Sequence, residues 1–328
     1  MENYVPPYEI NDEMLDLVAR ITEKLGQLNG VSALEKLPKL RRVSRISSIH
    51  STLAIENNKL SVGQVTDVID GKRVLGFQED VLAVKNAISA YKLLKDIDPY
   101  SIDDLLKVHG VMMQGLVSEA GKIRTGQVGV YNGEGEVIHI APSAEMVSPL
   151  IYRLLDWAKT SKANMLIKSS VFHYEFEFIH PFRDGNGRMG RLWQSVMLSC
   201  WKPIFEWIPI ESIIKENQQE YYKAIALSTS QGRSDKFILF MLSVIDKAIQ
   251  HIVVDTQNHI NHINNQVAAL MGVIESYPQS ASELMAKLDL KSKDNFRKNY
   301  LYPAIESGLI EMTDKNKPTS RNQRYFKI

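Results

Sequence analysis

The sequence predicts a mainly α-helical fold carrying one β-hairpin, with a small mixed module at its C-terminal end. Three observations predict it. Apolar residues recur at three- and four-residue spacing over most of the first 265 positions. One stretch, "TGQVGVYNGEGEVIHIAP", instead holds two short β-rich runs on either side of "NGEG". The last sixty or so residues read as helix, helix, strand, polar loop, strand.

Taken in order, residues 11–28 form the first helix, with Leu15, Val18, Ile21 and Leu25 on one stripe. Residues 38–57 continue with Leu40, Val43, Ile46, Ile49 and Leu53. Residues 78–95 and 102–117 are further helices. Asn132-Gly133 supplies the positive φ angles of a tight turn, so a β-hairpin is expected around it. Met146–Lys159 is amphipathic, with Pro149 in its first turns. Helical patterns return over 164–200 and 211–229, and a long helix over 235 to about 265. Ser280 and Glu283 have the spacing of a capping box, and the second helix of this end stops at Gly308.

The bulk numbers exclude several classes. The chain has 328 residues and a formal net charge of +1, which gives no global pull toward nucleic acid or membrane. One cysteine, Cys200, sits in an apolar run and reads as a buried packing thiol, and no disulfide framework is available within one chain. The acidic start lacks the shape of a signal peptide, and no continuous apolar stretch reaches the length of a membrane span. A cytoplasmic protein without a membrane partner is expected. His173 reads as a core histidine, and His259 with His262 as a solvated helix face.

The chemistry concentrates in "HPFRDGNGRMGR", His180 to Arg191. "GNGRMG" matches a dinucleotide-binding fingerprint, but Arg183-Asp184 stands where a strand should feed the turn and no βαβ pattern flanks it. Gly185 and Gly190 have P-loop spacing, yet Arg191-Leu192 replaces the required Lys-Ser/Thr. The stretch still reads as a phosphate site. Gly185 and Gly187 let the backbone approach an anion at the start of a helix, where N–H groups and the positive dipole end converge. Asn186 adds an amide donor. Arg188 and Arg191, three apart, lie on one helix face and present planar forks. Asp184 beside phosphate calls for a hard cation between them, Mg²⁺ being the usual one. His180 is placed to accept a proton near neutral pH, and Phe182 reads as a core anchor.

His-Pro-Phe-x-Asp-Gly-Asn-Gly-Arg-x-x-Arg resembles the signature of the Fic-domain family without departure. "SSVFHYEFEFIHPF", "GKIRTGQVGV" and "IHIAPSAEMVSPL" extend the resemblance over roughly residues 100–230. It implies a Fic-type helical bundle with the hairpin as a flap, and transfer of AMP from ATP to a Ser, Thr or Tyr hydroxyl of a target protein. By that resemblance His180 is the base and Asp184 holds Mg²⁺. Gly185, Asn186 and Gly187 form the anion hole, and Arg188 and Arg191 hold the β- and γ-phosphates. Tyr222 helps form the adenine pocket, and Val130, Tyr131, Asn132 and Gly133 dock the target on the flap. "TLAIEN", Thr52 to Asn57, is similar to the family's inhibitory motif, Ser/Thr-x-x-x-Glu-Gly/Asn. It implies that Glu56 pairs with Arg191 and takes the γ-phosphate position.

The resulting organisation is an N-terminal helical region over 1–100 with the inhibitory helix, a catalytic core over 101–230, a linker helix over 231–267, and a C-terminal domain over 268–328. The last has winged-helix order, and Lys287–Ile328 holds ten Lys/Arg against five Asp/Glu. A competing expectation is therefore a DNA-binding transcriptional regulator with a nucleotide-sensing core. DNA, a docked protein and a second copy of the chain are the partners considered for this organisation, since self-inhibited members of the family associate.

Overall fold

The computed structural model describes residues 4–30, 38–131, 137–314, 317 and 320–328. The chain divides into two compact units, 1–252 and 253–328.

The centre of the first unit is a pair of helices, Met165–Ile179 and Asn186–Trp201, which pack side by side. Both are buried nearly all round, from Leu166 to Glu177 and from Arg188 to Leu198. That is the pattern of a helix at the middle of a bundle rather than at its surface. Asn164 starts the first of them, its Oδ1 accepting from the Leu166 N–H. Helix Ala144–Thr160 covers one side, and helices Pro38–Ile55, Ile102–Met112 and Ile210–Glu216 belong to the same unit.

Helix Asp12–Gly30 buries Met14, Leu17, Ile21, Leu25 and Leu28. The expected stripe is corrected at its first position. Leu15 lies about 100° round the helix from Met14 and is exposed, whereas the 3-4-4-3 spacing from Met14 keeps one face. Val43 is exposed in the same way, and helix Pro38–Ile55 buries Ser44, Ser48, Ser51 and Thr52 beside Ile46, Ile49 and Leu53. Three hydroxyls of this helix, on Ser47, Ser48 and Ser51, have partners across the interface. Ser48 donates to Glu211 at 2.8 Å, and Ser47 and Ser51 meet Ser212. The Glu211 carboxylate also accepts from Tyr91 and Ser195, so one buried acid ties four elements together.

Strands Gly129–Tyr131 and Val137–Ile140 pair antiparallel, with a register shift between Val130 and Tyr131. The expected turn at Asn132-Gly133 lies outside the described residues, as do the side chains of His259 and His262. Cys200 is exposed at the last turn of its helix, which corrects the expected buried thiol. The helical run over 211–229 breaks at Asn217 into Ile210–Glu216 and Gln218–Gln231.

The long helix runs Asp235–Met271. Its segment Asp235–Asn258 contains an 18-residue stretch with a mean hydropathy of 1.8 and, by length and composition alone, is apolar enough to cross a membrane. Ser243, Asp246 and Lys247 interrupt the run, so it is not a continuous apolar stretch in the sequence. Half of that stretch is buried, and Phe237, Ile238, Met241, Leu242, Ile245 and Ile249 belong to the core of the first unit.

The second unit has its own core of Leu270, Ile274, Leu284, Phe296, Leu301, Ala304, Ile310 and Tyr325. Helix Ala281–Lys287 starts on the expected capping box of Ser280 and Glu283. The next helix, from Lys293 to Glu306, passes through a π-helical turn at Arg297–Leu301, just before Pro303, whose missing N–H interrupts the ordinary bonding register. Strand Arg324–Lys327 lies between Gln279–Ser280 and Ile310–Met312, all antiparallel. The two-residue strand at 279–280 is too short to be read from sequence.

Candidate functional site

Helix Met165–Ile179 ends at His180, which adopts left-handed φ 51°, ψ 63°, and Pro181 prevents the helix from continuing. A left-handed non-glycine residue costs about 1–2 kcal/mol and persists where neighbours fix it. Arg124 does so here. Its Nε donates to the His180 carbonyl at 2.7 Å, and its backbone N–H donates to the Pro181 carbonyl at 3.0 Å. The imidazole Nδ1 faces the Glu177 carbonyl at 3.3 Å. In that tautomer the lone pair is on Nε2.

Phe182 is fully buried and stacks on His109, with ring centroids 3.6 Å apart and planes within 3°. Asn186 clasps the same loop: its Oδ1 accepts from the Phe182 N–H at 2.8 Å and its Nδ2 donates to the Phe182 carbonyl at 2.9 Å. These two bonds hold the loop closed on Phe182 and leave the second Nδ2 proton of Asn186 outside the clasp. Gly185, at φ 83°, is the N-cap of helix Asn186–Trp201. The first ladder bond of that helix runs from the Met189 N–H to the Gly185 carbonyl, so the N–H groups of Asn186, Gly187 and Arg188 precede the ladder at an anion-attracting end.

Asp184 sits at this end with its carboxylate more than half exposed, and Oδ1 accepts from the Gly185 N–H. The Arg188 guanidinium approaches both Asp184 oxygens at 3.3 Å. Arg191, one turn deeper, is 2% exposed. Its Nη2 meets Glu56 Oε1 at 2.7 Å and the Thr52 carbonyl at 3.1 Å, and its Nε donates to Thr52 Oγ1. Burial alone would lower the Arg191 guanidinium, but the Glu56 carboxylate and its neighbours raise it, and the net direction is up.

Glu56 follows directly on helix Pro38–Ile55, and Asn57, at φ 65°, takes the left-handed position that ends it. The Asn58 N–H closes the turn on the Leu53 carbonyl. Thr52 and Glu56 thus project from one helical turn onto Arg191, 135 and more residues along the chain. Gly187 allows this approach, because a Cβ there would lie 2.5 Å from Glu56 Oε1.

A cleft of about 460 Å³ joins these groups, within the range of small-molecule sites. Its walls hold His180, Asp184 to Gly187, Arg191, Glu56, Tyr222 and Ile225, with Val128 from just before the hairpin. Tyr222 is therefore brought to the cleft. Val130 and Tyr131 lie on the first hairpin strand, and Asn132 and Gly133 fall outside the described residues. Among the described residues no cluster of three or more His, Cys, Asp or Glu is arranged to hold a metal alone. Asp184 fits the other mode of binding, one carboxylate sharing Mg²⁺ with substrate phosphates.

His173 is a buried core histidine with both ring nitrogens hydrogen-bonded, as its sequence setting predicts. Its Nδ1 donates to Gln194 Oε1 at 2.7 Å, and its Nε2 accepts from the Tyr221 hydroxyl at 3.1 Å. Burial lowers it to about 3, so it is neutral.

Two positioning residues escaped the sequence reading. Arg124 is 2% exposed and also donates to the carbonyls of Gly126 and Pro142 at 2.8 and 2.7 Å, tying both ends of the hairpin segment to the His180 turn. His109 accepts from the Gly121 N–H and donates through Nε2 to the Asp184 carbonyl at 3.0 Å. Burial lowers it to about 4, which keeps it neutral. The only trace of Arg124 in the sequence is an arginine just ahead of a β-rich run, and His109 looks like an ordinary residue of an amphipathic helix.

Residues 99–198 match the Fic/DOC family, and residues 265–326 match the C-terminal domain described as "Filamentation induced by cAMP protein Fic-like". A crystal structure of a Fic family protein from Desulfovibrio desulfuricans G20 is 44% identical, with a TM-score of 0.75, and the alignment covers 99% of this chain and 98% of that one. The structure of a Fic-1 fragment from C. elegans shares the fold at 22% identity and a TM-score of 0.63, over 75% of this chain and 73% of that one. Protein adenylyltransferase fic-1 of Caenorhabditis briggsae is 27% identical over 258 residues, 74% of this chain and 48% of that protein. The chain spans about half the length of the curated relatives it first matches.

Proposed function

The chain belongs to the Fic family, and on that premise we propose that it transfers AMP from ATP to a hydroxyl of a target protein and holds itself inactive through Glu56. The observation that carries the reading is the convergence of His180, the helix end at Gly185–Gly187 and Arg191 on one cleft, with Glu56 seated on Arg191. In the reaction a target Ser, Thr or Tyr oxygen attacks the α-phosphorus, the bond to the β-phosphate oxygen breaks, and pyrophosphate leaves. The hydroxyl proton goes to His180 Nε2. Such general-base help is worth ~10²–10⁴-fold in rate. The backbone N–H groups at Asn186 and Gly187 stabilise charge on the α-phosphate, and the guanidinium forks of Arg188 and Arg191 hold the outer phosphates. Mg²⁺, held by Asp184 together with the phosphates, supplies charge neutralisation when bound. Tyr222 lines the adenine end, and the hairpin offers an edge on which an extended target segment pairs.

Glu56 keeps this machinery off by occupying the fork that the terminal phosphate needs. A charge-assisted hydrogen bond is worth ~1.5–3 kcal/mol, which corresponds to roughly ten- to hundredfold in occupancy. Intact-protein mass after incubation with ATP and Mg²⁺ tests the proposal. Glu56→Gly gains the mass of AMP, the native chain gains little, and Glu56→Gly with His180→Ala gains none. A phosphate-sized gain would change the reaction.

The basic surplus of Lys287–Ile328 favours a second reading beside the first, in which the C-terminal unit is a winged helix that docks DNA. Salt-dependent DNA binding that requires residues 268–328 supports it, and binding indifferent to their removal sinks it. Cytoplasmic residence and self-association accompany the proposal as expectations.

A further inference from the structure

Glu177 lies in the wall of the same cleft, 4% exposed, and no step above uses it. Its Oε1 is buried and meets no hydrogen-bond partner among the described residues. A buried acceptor left in that state costs about 1–3 kcal/mol, and more if the group is charged, which favours the neutral, protonated carboxyl. The nearest candidate on its own helix does not serve. His173 Nε2 is 3.8 Å away, and its lone pair already accepts from Tyr221. Space is tight on the other side, where a Cβ on Gly190 would lie 2.6 Å from Oε1. The absence of a side chain at Gly190 keeps the carboxyl in place beside the Arg191 turn.

The groups facing Glu177 are His173 on its own helix, Arg191 on helix Asn186–Trp201, Glu56 after helix Pro38–Ile55, and Tyr221 and Tyr222 on helix Gln218–Gln231. Burial pushes the Glu177 carboxyl up to about 8, with Arg191 opposing and Glu56 adding to the rise. The carboxyl therefore feels the charge that Glu56 places on Arg191. It would feel a phosphate in that position the same way.

We propose that Glu177 is a nucleotide-contacting residue that works as a neutral acid, donating its proton in a hydrogen bond to a terminal-phosphate oxygen once that phosphate displaces Glu56 from Arg191. The inference rests on the nucleotide reading of the cleft. Two carboxylates then have opposite parts. Glu56 excludes the phosphate as an anion, and Glu177 accepts it only when protonated. Ionised, Glu177 would repel the phosphate and compete for Arg191.

The test uses the full chain with Glu56→Gly and His180→Ala, which opens the site and prevents turnover. Calorimetry measures its affinity for ATP with Mg²⁺ from pH 6 to 9.5, in two buffers of different ionisation heat. The expected result is an affinity that falls with a slope approaching tenfold per pH unit while Glu177 titrates, with up to one proton taken up on binding in that window. Adding Glu177→Gln, which keeps a donor and cannot ionise, flattens the profile near its low-pH level. Adding Glu177→Leu, which keeps the burial and lacks the donor, weakens binding roughly tenfold at pH 6. A flat profile in the parent, or a slope that survives Glu177→Gln, would overturn the inference and leave the nucleotide site standing. No ATP binding by the parent at any pH would overturn the proposed function and this inference with it.

Discussion

Replacing Arg124 by methionine keeps the length and apolar stem of the side chain and removes its fork. Three short hydrogen bonds then disappear, to the carbonyls of His180, Gly126 and Pro142 at 2.7, 2.8 and 2.7 Å. Each bond from a charged donor is worth about 1.5–3 kcal/mol when its partner stays buried. Two effects offset the loss. The guanidinium no longer has to be buried, and the left-handed His180 relaxes by about 1 kcal/mol. The net destabilisation is about 3 kcal/mol. For a unit of this size that lowers the melting temperature by about 6–12 °C. Thermal melts of the native chain and Arg124→Met read the shift directly. Transfer activity in the Glu56→Gly background, assayed well below both melting temperatures, falls further than stability does, because the hairpin and the His180 turn lose their common tie. Arg124→Lys keeps the charge and one or two bonds and recovers part of both losses. A shift below 2 °C with full activity would refute the idea that one buried arginine holds the turn.

Other outcomes follow from the same coordinates. Gly190→Ala places a Cβ 2.6 Å from Glu177 Oε1 and 2.9 Å from the His173 ring, and chemical denaturation should show a loss of about 1–3 kcal/mol. Glu175 is 5% exposed; burial raises it to about 7 against the lowering effect of the Tyr4 hydroxyl, which donates to it at 2.7 Å. Its proton stabilises the fold fully below the unfolded carboxyl range, and that stability is lost as pH rises through about 7. Melting temperatures from pH 4 to 8 should therefore fall less steeply in Glu175→Gln than in the native chain, and parallel curves would contradict the assignment. Phe296→Ala empties the core of the C-terminal unit and should cost that unit about 3–5 kcal/mol, read as a downward shift of its calorimetric transition with the other unit unchanged.

Much of the cleft was legible because its parts are adjacent in sequence. A helix that ends on His180-Pro181 and a second that starts on Gly185 are local events, set by φ preferences and a missing N–H. The Glu56–Arg191 contact spans 135 residues and is not a pattern of periodicity or spacing. Only the resemblance of Thr52–Asn57 to a known motif pointed to it. The clasp of Asn186 on Phe182 is not legible in the sequence, because an amide beside an anion site reads as a ligand and its bonds to the loop depend on the fold. Arg124 and Glu177 were invisible for a related reason. Buried charged residues look like surface residues in a sequence until the fold shows which carbonyls or cavities surround them. The face errors at Leu15 and Val43 arose where apolar residues on both flanks of a helix allow two stripes, and only packing decides between them.

The most direct test of the account follows the label of ATP into protein. Glu56→Gly chain is incubated with Mg²⁺ and ATP labelled at the α-phosphate or, separately, at the γ-phosphate. The account predicts α-label bound covalently to protein and γ-label released in pyrophosphate, with both absent from protein when His180→Ala is added. The γ-label on protein, or α-label incorporation that ignores His180, would contradict it.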